Sequence, residues 1–180
     1  TVDGSPLAFK KGVKKLTIFT NDGGAYSVPN GNYNAQTDKI VSVLGKDSVY
    51  TFGEHNIKNY KFGKDILARY ADKKGKKRFY FNLTKPNNVT LLKGYFAKIK
   101  PGTINALTKT KVTNDKYVID EKYFVLKSDL IAYKFSLKKK SVLKLMKDHQ
   151  KEVKTFIEDN NIHFKRERDF IKVFNYYNTL

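Results

Sequence analysis

The residues with the most chemical character form one run, Lys73-Lys74-Gly75-Lys76-Lys77-Arg78, which leads directly into Phe79-Tyr80-Phe81. Basic side chains beside alternating aromatics are what a β-sheet uses to hold single-stranded nucleic acid, with lysines on the phosphates and rings stacked on the bases. The same spacing has a plainer reading. Phe79, Phe81 and Leu83 alternate with Tyr80 and Asn82, which puts one set in a core and leaves the lysines as a solvated hairpin tip. The sequence favours the plainer reading, because the run lacks the glycines of the ribonucleoprotein motif and no βαββαβ order surrounds it. A second basic group, Lys138-Lys139-Lys140, precedes a helical tail and suits a membrane surface or a partner. Acids interrupt the polar face of that tail, so core packing explains its apolar stripe better. Lys73, Lys74, Lys76, Lys77, Arg78, Lys138, Lys139 and Lys140 are therefore the candidate partner-binding residues.

No set of residues points to catalysis. His55, His149 and His163 stand apart, and there is no HExxH or related spacing. Asp115, Asp120 and Glu121 are close in sequence, as are Glu158 and Asp159. Neighbours in sequence do not make the facing carboxylates of a glycosidase, which would have to come from distant strands. Ser5 and Ser141 lack a nucleophile elbow. Gly23-Gly24 is a turn with no following helix to complete a phosphate loop. There is no cysteine, which removes disulfides, thiolate metal sites and thiol nucleophiles. The expectation is a non-enzymatic protein without cofactor or metal. Asn82-Leu83-Thr84 and Asn88-Val89-Thr90 match the N-glycosylation sequon, and Asp47-Ser48-Val49 matches a short O-glycosylation acceptor of Bacteroidetes; each motif is too short to carry weight alone.

Charge is the outlying bulk property: 36 Lys and Arg against 17 Asp and Glu give a net charge of +19, most of it lysine spread along the whole chain. Such a field favours an anionic partner, whether nucleic acid, an anionic lipid surface or an acidic protein; the alternative is a plain solvated lysine-rich surface, since spread charge is weaker evidence than a cluster. A chain of 180 residues with 40% hydrophobic content suits one domain and buries enough surface to fold without a staple. No apolar run approaches the roughly 18–20 residues of a membrane-spanning helix. Thr1 stands without Met or an apolar leader, which reads as a mature chain after removal of an export signal.

The elements that would position these residues are mostly strands. Leu16 to Phe19 and Ala25 to Val28 flank Asn21-Asp22-Gly23-Gly24, a strong hairpin turn. Pro29-Asn30-Gly31 reads as another turn, and Gly45-Lys46-Asp47 joins strands at Ile40–Leu44 and Ser48–Phe52. Ile57 to Phe62 is a strand. Ile66 to Tyr70 is read as a strand leading through the Asp72–Gly75 loop into Phe79. Pro86-Asn87-Asn88 then turns the chain into Leu91–Ile99, completing a long central hairpin with apolar character on both faces. Thr103 to Val112 is β-compatible but poorly patterned. Lys122 to Lys127 and Ile131 to Leu137 are strands. Beyond Lys138 the period becomes helical. Ser141 is positioned to cap a first helix, a second runs from about Asp148 to Asp159 with a left-handed stop at Asn160-Asn161, and a third starts near Arg166.

The order of these signals resembles a group of uncharacterised secreted proteins of Bacteroidetes. The shared points are Gly4-Ser5-Pro6 with Phe9 and Gly12, then Tyr26, Val28-Pro29 and Tyr33-Asn34, then Phe79-Tyr80 and Lys93-Gly94-Tyr95-Phe96. The match closes on Lys138 to Leu180, with Val153-Lys154-Thr155-Phe156-Ile157 and Tyr176-Tyr177-Asn178. Asn32 stands where that group more often has Arg. The resemblance implies export to the periplasm or outer membrane and supplies no catalytic motif.

The expected architecture is mainly β, an antiparallel sheet, open barrel or sandwich over residues 1–137, with a short three-helix segment over 138–180 packed on it or on a partner. The expected role is a periplasmic binding or accessory protein associated with an outer-membrane β-barrel complex, such as a plug-like subunit of a secretion or uptake channel. The alternative is a nucleic-acid-binding protein that uses the Lys73–Arg78 hairpin and its aromatics.

Overall fold

Among the described residues eleven strands and three short α-helices form, so the protein is mainly β. The computed structural model describes residues 2–9, 14–45 and 48–180. Gly12, Lys46 and Asp47, and with them the centre of the third hairpin and the Asp47-Ser48-Val49 motif, lie outside the described residues.

The strands are β1 (Val2–Asp3), β2 (Lys14–Thr20), β3 (Ala25–Asn34), β4 (Lys39–Val43), β5 (Val49–Thr51), β6 (Ile57–Phe62), β7 (Asp65–Ala71), β8 (Lys77–Asn82), β9 (Thr90–Lys100), β10 (Asp115–Leu126) and β11 (Ala132–Phe135). The helices are α1 (Lys139–Leu145), α2 (Gln150–Asp159) and α3 (Glu167–Tyr177), with a single 3-10 turn at Lys147–His149 ahead of α2. No helix among the described residues is long and apolar enough to cross a membrane. The chain forms two compact units, residues 1–66 with 95–121 and residues 67–94 with 122–180. Strands β7, β9 and β10 contribute residues to both.

The first unit holds the order β6-β2-β3-β4-β5, all antiparallel. Leu16, Ile18, Tyr33, Ile40, Val41, Tyr60 and Phe62 are buried there. Asp22 holds the β2–β3 turn: its carboxylate accepts the Thr20 hydroxyl, the Gly24 N–H and the Asn56 side-chain amide. These donors hold it below the usual carboxylate range, the Thr20 hydroxyl most of all. Pro29-Asn30-Gly31 is not the expected turn. Strand β3 runs through it with a register shift opposite Lys14 and Leu16, and Asn30 takes φ 57°. A β-carbon on Gly31 would lie 2.3 Å from that of Leu16. The glycine therefore serves close strand approach at a bulge, and not chain reversal.

The second unit contains the order β7-β8-β9-β10-β11, and a parallel bridge joins Ala71 to Ile131. The end of β7 thereby meets the entry to β11. Tyr80, Leu92, Leu126 and Ala132 form one buried cluster. The helices cover a second, in which Val89, Leu91 and Val125 meet Val142, Met146, Val153, Ile157, Phe170, Val173 and Phe174. Helix α1 begins two residues before Ser141, with Lys138 at its cap and no side-chain cap bond. Val142 and Met146, one turn apart and both fully buried, set its phase, so packing decides the start. At the end of α2 the chain stops as expected: Asn161 has φ 46° and the Ile162 N–H returns to the Ile157 carbonyl at 3.1 Å. Residues 103–112, expected to be β-compatible, form a loop with a single bridge, Ile104 to Lys111.

Candidate functional site

The lysine-rich tip joins β7 to β8 and is built around Asp72. Its carboxylate accepts the N–H groups of Lys74 at 2.8 Å and Lys76 at 3.0 Å, and Gly75 supplies φ 78°. Lys73, Lys74, Lys76 and Lys77 point outward; Arg78 is half buried. Phe79, Tyr80 and Phe81 are each 3% exposed, and the Arg69 guanidinium lies 3.9 Å from the Phe79 ring centre. A base cannot stack on these rings while the sheet is intact.

Three surface hollows of the second unit are lined largely by lysines. The first, about 360 Å³, is walled by Lys73, Lys74 and Lys134 over Phe124, Ala132 and Tyr133. The second, about 590 Å³, lies between β11 and α1, with Lys127, Lys134, Lys144 and Lys147 around Val125, Tyr133, Phe135 and Leu145. The third, about 750 Å³, has Leu143 in its floor and is rimmed by Lys139, Lys140, Lys144, Lys147 and Lys154. Tyr133 and Lys134 line the first two, and Lys144 and Lys147 the last two, so the hollows form one continuous track. Lys73 and Lys74 therefore stand at one end and Lys139 and Lys140 at the other. Lys76, Lys77, Arg78 and Lys138 do not line it.

Tyr133 joins the first two hollows of the track. The Lys73 ammonium lies 5.0 Å from its ring centre and that of Lys127 4.8 Å, within cation–π range. Its hydroxyl donates to Asp129 Oδ2 at 2.6 Å, and Asp129 Oδ1 accepts the Ile131 N–H at 3.0 Å. The Tyr133 hydroxyl, and then the Ile131 N–H, hold Asp129 below the usual carboxylate range. In return, the hydrogen bond to Asp129 raises Tyr133 above the usual phenol range.

Lys127, Lys134, Lys144 and Lys147 were not singled out by sequence, because they are isolated in it and meet only when β11 and α1 fold side by side. A further cluster was equally invisible. Glu167 accepts Lys93 Nζ and the Tyr123 hydroxyl, both at 2.7 Å, and the Lys93 side chain is only 12% exposed. The residues come from α3, β9 and β10, and their role is to pin the helix to the sheet.

His55 and His163 are exposed, and His149 packs edge-on against Tyr177. Among the described residues, no group of three or more His, Cys, Asp or Glu side chains comes together to hold a metal. The first sequon is internal: Asn82 is buried and donates to the Tyr70 hydroxyl at 3.0 Å, and Thr84 accepts the Leu91 N–H. Asn88 of the second is exposed. Comparison with models of known families, with curated proteins and with solved structures finds no match to this chain.

Proposed function

We propose that the protein is a non-enzymatic binding protein whose lysine track receives an extended acidic segment of a partner protein. The observation that carries this reading is the cleft between β11 and α1. Four successive residues, Tyr133, Lys134, Phe135 and Ser136, line it. Side chains of a strand alternate between faces, so what four successive residues share on one side is their backbone edge. Among the described residues β11 pairs with β10 alone, apart from the Ala71 bridge at its entry. An incoming strand would meet the β11 edge that faces away from β10, ending where the Ser136 carbonyl accepts the Lys138 N–H at 2.8 Å, with apolar contacts at Val125, Phe135 and Leu145 and ammonium groups on both walls. Alternating acidic and apolar side chains would satisfy all three.

The setting we propose is the periplasm, with the partner an outer-membrane β-barrel or its complex and the protein an accessory or plug-like subunit. Its support is the resemblance to secreted Bacteroidetes proteins and the need of a +19 chain for an acidic counterpart.

The test uses a labelled synthetic peptide of alternating glutamate and valine, and a copy N-methylated at every second residue. The unmodified peptide should bind the full chain at low salt and weaken as salt rises. Lys127→Glu combined with Lys144→Glu should weaken it by about tenfold or more, and N-methylation should abolish it. Equal binding of both peptides would leave charge attraction without strand addition. Absence of binding, or indifference to the charge reversals, would overturn the reading.

A further inference from the structure

We propose that the loop joining β9 to β10, residues 101–114, is a wedge that enters the interface of an anionic lipid bilayer. It lies in the first unit, shares no residue with the lysine track and does not depend on it.

The loop is ordered by its own hydrogen bonds. The Val112 N–H reaches the Thr103 carbonyl at 2.8 Å and the Asn105 N–H the Thr110 carbonyl at 2.9 Å, with Ile104 bridging Lys111 between them. At the tip, Asn105 Oδ1 accepts the N–H groups of Leu107 and Thr108 at 2.9 and 3.1 Å. At the base, the Gly102 N–H donates to Asp115 Oδ1 at 2.8 Å. A β-carbon on Gly102 would lie 1.8 Å from the Thr113 carbonyl oxygen, so the two arms close this tightly only on glycine.

This ordered ribbon presents its apolar side chains to water. Leu107 at the tip is 93% exposed, Val112 62% and Ile104 61%. In a two-stranded ladder, directly opposed residues share a face and successive ones alternate. Val112 therefore lies on one face with Thr103, and Ile104 on the other with Lys111. An apolar residue on each face and a third at the tip would be covered together by a medium that surrounds the ribbon. A flat protein surface covers one face; the acyl boundary of a bilayer surrounds a wedge on every side. The flanks match an anionic headgroup layer. Lys100 and Lys116 at the base are exposed, as is Lys109 in the tip turn beside Leu107, and Lys98 and Lys111, though paired with Asp120 and Asp115, keep 60% and 48% of their side chains in solvent. Lysine stems can lie along the inserted ribbon while their heads stay at the phosphates.

The chain has no tryptophan, so Leu107→Trp adds a single fluorescent reporter at the tip, and the exposure of Leu107 makes both this change and Leu107→Ser compatible with the fold. The full chain should sediment with vesicles of phosphatidylcholine and phosphatidylglycerol, and much less with phosphatidylcholine alone. The L107W emission should shift to the blue on binding and be quenched by lipids brominated in the acyl chain. Leu107→Ser should lower vesicle partition by about tenfold, the scale of one leucine moved out of an apolar medium. Sedimentation with an unshifted emission would reduce the contact to surface charge and overturn the proposal. So would equal partition of L107S and the parent chain, or no sedimentation at all. A blue shift produced by outer-membrane proteins in detergent but not by lipid vesicles would assign the loop to a protein pocket instead.

Discussion

At the scale of single residues, the Tyr133–Asp129 hydrogen bond is where charge and position are linked. Asp129 is held below its usual range by that bond, so its contribution is present above about pH 4 and lost as pH falls through the depressed value. Tyr133 is raised by the same bond, so its contribution is present below about pH 10 and lost as pH rises through the elevated value. The bond is thus intact across the neutral range and fails at both ends. Spectrophotometric titration should show a tyrosine ionising above the ordinary range, and Asp129→Asn should bring that ionisation back down. An unchanged titration in the variant would mean that the hydroxyl is held by something else. Because the Lys73 and Lys127 ammonium groups lie within about 5 Å of the Tyr133 ring centre, loss of the bond would also loosen the join between the first two hollows of the track.

At the scale of elements, the bulge in β3 shows what a sequence pattern conveys and what it conceals. Pro29-Asn30-Gly31 has turn chemistry, and Asn30 does adopt the left-handed conformation, but the strand continues because Leu16 of the neighbouring strand needs the space that Gly31 leaves empty. Gly31→Ala should therefore cost about 1–3 kcal/mol, the range of core overpacking. A lowered urea midpoint at unchanged slope would report it. Leu16→Ala should give no rescue, since alanine keeps the β-carbon that clashes. A Gly31→Ala variant within about 0.5 kcal/mol of the parent would show that the two strands can separate cheaply. The contrast with the β7–β8 hairpin is instructive. There Asp72-Lys73-Lys74-Gly75 and the alternation through Phe81 act locally, so strand and turn could be read from neighbouring residues, although Tyr80 and Asn82 on the alternate face are buried as well. Helix α3 was legible in its apolar face, whereas the Glu167 contact with Lys93 and Tyr123 was not, because it joins residues 74 and 44 positions apart. The track has the same character: its ends were visible as Lys73-Lys74 and Lys139-Lys140, and its middle depends on β11 lying beside α1.

At the scale of the whole molecule, the excess positive charge opposes folding and favours association. Two of the exposed ion pairs, Lys98–Asp120 and Lys111–Asp115, involve lysines at least about half in solvent, and such pairs contribute little. Repulsion within a +19 chain therefore outweighs them, and compaction raises it. Raising salt from about 0.01 to 0.15 M shortens the screening length from about 30 to 8 Å. The midpoint of thermal unfolding should consequently rise by a few degrees over that range, while affinity for an acidic peptide or an anionic vesicle falls. The two responses have opposite signs because one removes repulsion between lysines and the other removes attraction to a partner. A midpoint that fell with salt would place the balance with the ion pairs instead. A peptide affinity indifferent to salt would shift the weight of recognition to Val125, Phe135 and Leu145, the apolar residues of the central cleft.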